Sequence, residues 1–211
     1  MKYFIYKKDR KEVVPVEDKS LNKEAKAKLK ELFENREKLN IPSRYIEEWN
    51  QVALFNAKGD VSKANAILFP KEKSAYNLSN PLNDLTAKEW LPETVSVFSQ
   101  KGLGAGNKNA QIEKQHPAPF SFQDVARLIR YYSKGGQNVL DPFSGVGSTV
   151  KACAVEGRYG FGFELNPKYH ELAEERIKVE VEDEFEYKNK QTLLNGDSVE
   201  LIDSFEDNFS C

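Results

Sequence analysis

The stretch "NVLDPFSGVGST" (residues 138–149) runs from an apolar, strand-like segment through Asp141-Pro142 into two glycines, Gly145 and Gly147, and a helix-like continuation. A strand that ends in an acid and turns through glycines into a helix leaves free backbone N–H groups at the helix start. Glycine there lets a ligand approach the chain closely. The sequence that follows keeps the same rhythm. The helix "VGSTVKACAVEG" closes at Gly157, "YGFGFEL" is a second strand, and "NPKYHELAEERIKVEV" is a second helix with Pro167 in its first turn. A third strand, "KQTLLNGDS", leads into a short helix, "VELIDSF". Upstream, "SFQDVARLIRYYS" is amphipathic, with Ser121 as the expected cap and Val125, Leu128, Ile129 and Tyr132 at helical spacing. Strands alternating with helices predict a parallel sheet with right-handed crossovers, the doubly wound α/β class.

In an open parallel sheet, ligands sit beyond the carboxyl ends of the strands. Each of the three predicted strands ends there in an acid: Asp141, Glu164 and Asp197. Glu164 suits a bidentate grip on ribose hydroxyls, and Asp197 is placed to meet a base edge such as an adenine amino group. Together they describe an adenosine pocket. No G-x-x-x-x-G-K-[ST] string exists, so a phosphate-binding loop of that kind is excluded. "GVGSTV" supplies two glycines of the dinucleotide pattern G-x-G-x-x-G but has Val150 in the third place. An acid at the strand end would repel a pyrophosphate and attract a cationic, amine-bearing ligand. That chemistry points to S-adenosylmethionine (SAM), which carries a sulfonium and an ammonium but no phosphate. Two alternatives stand beside it: a strand–helix turn that binds nothing, and a dinucleotide oxidoreductase, which Val150 and Asp141-Pro142 disfavour.

The bulk numbers bound these readings. The 211 residues suit one domain, or one domain with an extension, and 39% hydrophobic content is enough for a core. A net charge of −2 offers no global attraction to nucleic acid, so DNA contact would rest on local basic patches. Two cysteines, Cys153 and Cys211, and two histidines give no metal-ligand spacing, so no metal is expected; the thiols read as reduced and the protein as cytoplasmic. "MKYFIYKKDRK" is too charged for a secretory signal, and no apolar run reaches the ~18 residues of a membrane span.

Residues 1–79 read as a mainly helical extension of unassigned role. "KYFIY" and "EVVPV" suggest a short strand or hairpin; "DKSLNKEAKAKLKELFENREKLN" is helical, with Leu29, Leu32 and Phe33 as its stripe. "PSRYIEEWNQVALFNA" opens on the helix-start signal Pro42-Ser43 and carries Tyr45, Ile46, Trp49, Val52 and Leu54, while "DVSKANAILFP" is a further helix ending at Pro70. In "NPLNDLTAKEW" a capping-type start involves Asn83 or Asp84 and then Thr86. The segment 101–116, rich in Gly, Asn and Lys, reads as a mobile loop.

From "HPAPF" to "AEERI" (residues 116–177) the chain closely resembles the SAM-binding half of the DNA amino-methyltransferases, which methylate cytosine N4 or adenine N6. The family's "HPAPF"-like string, "LDPF-G-GST", "G-G-E-N-Y---A--R" and "GDS" occur here in order, and with the lead-in "NPLNDLTAKEWLPETVSVF" the resemblance covers about residues 80–205. It implies a Rossmann-like SAM-dependent methyltransferase fold, present as its first three parallel strands, in residues 80–211. By the same resemblance Asp141, Phe143, Ser144, Gly145 and Gly147 would wrap the methionine part of SAM, with Pro142 and Ser148 in the same turn. Glu164, followed by Leu165 and Asn166, would hold the ribose; Asp197, followed by Ser198, would hold the adenine. His116, Pro117 and Phe120 would lie near the methionine tail or the adenine. His170, on a charged helix, reads from its own neighbours as a surface residue.

The family's catalytic "SPPY" or "DPPY" loop, which accepts hydrogen bonds from the target amino group and stacks on a flipped base, has no counterpart, since the chain contains no Pro-Pro. No residue of this chain is assigned the catalytic role. In the motif order seen here that loop would follow "GDS" on a fourth strand, beyond "SFEDNFSC". The expectation is therefore the front part of a methyltransferase, a truncated frame or one piece of a split enzyme, acting on double-stranded DNA. The other reading is a non-catalytic SAM-binding or assembly subunit that pairs with a second polypeptide carrying the catalytic loop.

Overall fold

The computed structural model describes residues 2–7, 12–16, 21, 23–35, 51–55, 66–69, 74–96, 98–100, 107 and 111–203. They fall in two units, Met1–Ser96 and Val97–Cys211. In the first, "KYFIY" and "EVVPV" form β1 (Lys2–Lys7) and β2 (Glu12–Val16), paired antiparallel as a hairpin reading requires. The Lys- and Glu-rich run gives α1 (Lys23–Glu34), with Leu29 buried. β3 (Gln51–Phe55) then lies parallel to β1, and β4 (Ala66–Phe69) and β5 (Ser74–Asn77) add antiparallel strands, giving the order β2-β1-β3-β4-β5.

This corrects the expectation of a largely helical N-terminal region. Val52 and Leu54, assigned to a helical stripe, belong to β3, and "AILF" is β4 rather than a helix end. Runs of five and four residues are too short for the helical period to be told from a buried strand. Pairing partners elsewhere in the chain decide such runs. Pro42, Ser43, Tyr45, Ile46 and Trp49 lie outside the described residues, as do 101–106 and 108–110 of the expected loop and Cys211. α2 (Ala87–Trp90) begins as its capping residues predict: the Thr86 N–H and hydroxyl both donate to Glu89 Oε2, at 2.9 and 2.8 Å. Among the described residues no helix is long and apolar enough to cross a membrane.

The second unit holds α3 (Phe122–Tyr132), β6 (Asn138–Asp141), α4 (Ser148–Glu156), β7 (Tyr159–Glu164), α5 (Pro167–Glu180), β8 (Thr192–Asn195) and α6 (Ser198–Asp203). The strands are all parallel, in the order β6-β7-β8. Val125, Ala126 and Ile129 of α3 pack on Ala152 and Cys153 of α4, with Val139 of β6 against them. The alternating glycines of "YGFGFE" explain how α4 sits so low on the sheet. A Cβ at Gly162 would come 2.5 Å from Ser144 Oγ and 2.7 Å from Val150 Cγ2, so a side chain there would push the helix and its preceding loop off β7. Ser121 stands at the start of α3 as expected, and its carbonyl accepts the Asp124 and Val125 N–H groups. Its hydroxyl makes no capping bond and is buried.

Candidate functional site

Parallel pairing brings the three strand ends to one edge. Asp141 lies level with Gly162, and Glu164 level with Asn195, so Asp141, Glu164 and Asp197 all leave the sheet on the same side. Each carboxylate is held by neutral donors. Asp141 accepts the Phe143 N–H (3.0 Å) on Oδ1 and the Thr149 hydroxyl (2.6 Å) on Oδ2, so it shapes the turn that it begins. Glu164 accepts the Gly145 N–H on Oε2 and the Asn166 N–H on Oε1, both at 2.8 Å. A carboxylate oxygen has two lone pairs, so each Glu164 oxygen can still accept one more bond. Asp197 accepts the Val199 N–H (2.8 Å) at the start of α6. Among the described residues, none of the three forms an ion pair.

The glycine loop between β6 and α4 bends where only glycine is comfortable. Gly147 has φ +74°, and a Cβ there would lie 2.9 Å from the Ala173 Cβ of α5. His116 rests against the same loop: a Cβ built on Gly145 would be 3.5 Å from His116 Nε2. The imidazole is oriented by the Ala118 N–H, which donates to Nδ1 at 3.2 Å, and by Tyr169, edge-to-face at 4.7 Å. Phe143, Leu165 and Val199, each following one strand end, are 81%, 68% and 69% exposed, and Pro117 and Phe120 are exposed as well. The edge therefore offers carboxylates, apolar side chains and loop N–H groups, with Pro142 half-buried in the turn.

Several expected site residues turn out to face elsewhere. The Ser144 hydroxyl is buried against Gly162 of β7, with no hydrogen-bond partner. Ser148 donates to the Phe120 carbonyl at 2.5 Å and accepts from Arg176 Nη1 at 2.9 Å, both on the protein side of the loop. Asn166 caps α5, its side-chain oxygen accepting the Lys168 N–H at 3.0 Å. Asp197 and Ser198 are tied to the rest through backbone: the Gly196 N–H donates to the Glu164 carbonyl at 3.0 Å. His170, expected at the surface, has a side chain only 17% exposed, with Nδ1 buried.

Sequence reasoning missed the ionic network behind the loop. Arg176 is fully buried. Its Nη2 donates to Glu113 (2.6 Å), its Nε to Glu180 (2.9 Å), and its Nη1 to Ser148 and to the Val146 carbonyl (3.2 Å). Lys151, 1% exposed, completes the set on Glu180 at 2.6 Å and stands 3.9 Å from the centre of the Phe122 ring. Burial lowers the Lys151 pKa, against the opposing pull of its hydrogen bond to Glu180. The signals were Lys151, a lone charge in the otherwise small and apolar "STVKACAV", and the Arg that ends the family's "A--R" pattern. Thr149, Tyr169 and Asn195 were missed too. The Asn195 amide donates to the Glu164 and Leu165 carbonyls at 2.7 and 3.2 Å and so fixes the end of β7.

The chain is 42% identical over 89 residues to the type II methyltransferase M.MthZI of Methanothermobacter thermautotrophicus, covering 42% of this chain and 24% of that one. It is 29% identical over 122 residues to the type II methyltransferase M.ScaI of Streptomyces caespitosus, covering 56% and 37%. The matched part thus spans about a quarter and just over a third of these relatives' lengths. Among solved structures, a Thermus thermophilus protein described as a DNA modification methylase and complexed with S-adenosyl-L-methionine is 31% identical, covering 47% of this chain and 45% of that one, at a TM-score of 0.33. The DNA methylase family model matches residues 3–175, and so extends well upstream of the motifs around the glycine loop. Because that match takes in most of its length, the chain belongs to the N6/N4 family of DNA methylases.

Proposed function

We propose that the second unit is the cofactor-holding part of a SAM-dependent DNA methyltransferase that modifies cytosine N4 or adenine N6 in double-stranded DNA, in the cytoplasm. The observation that carries this reading is the sheet edge of a chain in this family: three carboxylates that no cation among the described residues pairs with, set around a glycine loop. The donor set fits SAM better than a phosphorylated cofactor. No Lys or Arg stands in the loop 141–149, and an acid begins it. When bound, SAM supplies the methyl group that is transferred.

The residues' part is to hold and orient. Asp141 and the loop N–H groups would take the ammonium and carboxylate of the methionine portion. The free lone pairs of Glu164 would accept the ribose hydroxyls. Asp197 would accept from the adenine amino group, with Leu165 and Val199 offering apolar surface to the ring. His116, Pro117 and Phe120 would cover the methionine end. Such positioning is a large part of what a methyl-transfer site contributes. None of these 211 residues is assigned to accept the target amino group, since the sequence contains no Pro-Pro. Among the described strands β6 pairs with β7 alone, and its outer edge offers a place for a further strand, since an edge strand is a template for pairing. The non-catalytic assembly subunit is the second reading, and the same edge favours it equally.

Isothermal titration of the folded chain with SAM tests the assignment. Saturable binding is expected, weakened by Leu165→Ala and Phe143→Ala, which remove exposed side chains and leave the fold alone. A folded chain that takes up NAD and not SAM would overturn it. Methyl transfer to duplex DNA is expected only after a polypeptide carrying the "SPPY" or "DPPY" loop is added.

A further inference from the structure

We infer that Arg176 is a positioning residue that pins the segment 113–120 at both ends against the glycine loop, and so sets how tightly the site closes on its cofactor. The inference rests on the SAM reading above for what the segment covers.

The segment is exposed along most of its length. Lys114, Gln115, Pro117, Ala118, Pro119 and Phe120 are all exposed, and His116 is half-buried against Gly145. Its two ends are held from one point. At the start, the buried Glu113 carboxylate accepts from Arg176 Nη2 at 2.6 Å. At the finish, the Phe120 carbonyl accepts from Ser148 Oγ at 2.5 Å, and that oxygen accepts from Arg176 Nη1 at 2.9 Å. The same Nη1 reaches the Val146 carbonyl inside the glycine loop at 3.2 Å. One planar guanidinium therefore fixes three things relative to one another: the beginning of the segment, its end, and the loop that the segment lies against. Lysine could keep the charge but could not span this fork, because its donors radiate from a single nitrogen. Glu180 and Lys151 balance the buried charges, so the guanidinium can sit in the interior without an excess.

The test reads the segment and the cofactor separately. Lys114 gives a tryptic cut inside the segment, and its cleavage rate without cofactor reports how well the segment is pinned. Glu113→Ala frees the first end, Ser148→Ala frees the second, and Arg176→Lys loosens both. Each is expected to raise cleavage after Lys114 and to weaken SAM binding by about tenfold or more. Saturating SAM is expected to protect Lys114 in the unsubstituted chain. Ser148→Ala keeps the experiment decisive if the buried-charge variants fail to fold, because it removes only a hydroxyl. A merely structural role would lower the unfolding temperature of folded Ser148→Ala while leaving the Lys114 rate and the SAM affinity unchanged; that result overturns the inference. If the unsubstituted chain does not bind SAM, the cofactor reading fails. The Lys114 rates then still decide whether Arg176 pins the segment.

Discussion

The second unit keeps carboxylates in two places and treats them in opposite ways. Behind the glycine loop, Glu113 and Glu180 are met by Arg176 and Lys151 at 2.6 to 2.9 Å, all four side chains being nearly free of solvent. At the strand edge, Asp141, Glu164 and Asp197 meet, among the described residues, backbone N–H groups and one hydroxyl. Buried charges must be paired, because an isolated ion in the interior is costly, and the pairing cancels their field. The edge carboxylates are oriented without being neutralised, so their charge remains available to something that arrives from solution. The interior set is paired, and the edge acids are held by neutral donors.

The largest expected effect breaks the buried side of this contrast. Glu113→Ala leaves the guanidinium short of one counter-charge in the interior, a kind of loss that typically costs about 3–5 kcal/mol. Urea denaturation should show it as a shift in midpoint at unchanged slope. An isosteric apolar replacement of the whole set would be far milder, and comparing the two separates an unmatched charge from a missing contact. Next in size is Gly147→Ala. It forces a side chain into φ +74° and to within 2.9 Å of Ala173, and should cost about 1–3 kcal/mol through strain. Pairing it with Ala173→Gly should recover the steric part and leave the backbone part.

These two places also differ in how far the sequence discloses them. The strand ends and the glycine turn are legible because parallel βαβ units punctuate themselves. Each acid stands at the boundary between an apolar run and a helix start, and Gly157 and Pro167 mark the helix limits as they should. The motif resemblance then adds His116, which the fold does bring against Gly145. The ionic network joins residues 63 and 28 positions apart, and no local pattern encodes such a pairing. Glu113 in particular precedes "HPAPF" in a segment that reads as loop. The first unit was misread for a related reason. β3 and β4 are short apolar runs whose identity depends on the strands that they pair with, and β1 lies 49 residues before its β3 neighbour. Ser144 is a ligand contact only by the motif resemblance. Only the packing of Gly162 reveals that its hydroxyl turns inward.

Changes at the edge sharpen the contrast from the other side. Asp141→Asn and Glu164→Gln each retain an oxygen that can accept one of the existing backbone bonds while removing the charge. Asp141→Asn should change stability by about 1 kcal/mol or less, because its new amide can donate to the Thr149 hydroxyl. Glu164→Gln sets an NH2 against a backbone N–H that the carboxylate had accepted, and should cost about 1–3 kcal/mol. SAM affinity should fall about tenfold or more, read by titration calorimetry. Raising ionic strength should weaken binding by the unsubstituted chain more than by Asp141→Asn, because the attraction lost in the variant is the one that salt screens. If both substitutions unfold the chain but leave the cofactor affinity of the remaining folded fraction untouched, the edge acids hold the fold and not the cofactor.

Cys153 tests the rule at its limit, since it is an ionisable group in the interior to which no cation among the described residues is bonded. Its thiol is fully buried between α3 and α4, and burial raises its pKa to about 12, with the Arg158 charge pulling the other way. In the unfolded chain the thiol ionises near its ordinary value of 9.0. Between pH 9 and 12 the folded state therefore binds the proton that the unfolded state has released. Stability from this group is complete below pH 9 and is lost as pH rises through that window, at no more than about 1.4 kcal/mol per pH unit. Cys153→Ala should show a roughly constant offset from cavity formation at neutral pH and a shallower loss above pH 9. Parallel slopes in the two proteins would mean that the thiol ionises as readily folded as unfolded. A buried acid here would then carry charge without a partner, and the contrast between paired interior and unpaired edge would not hold.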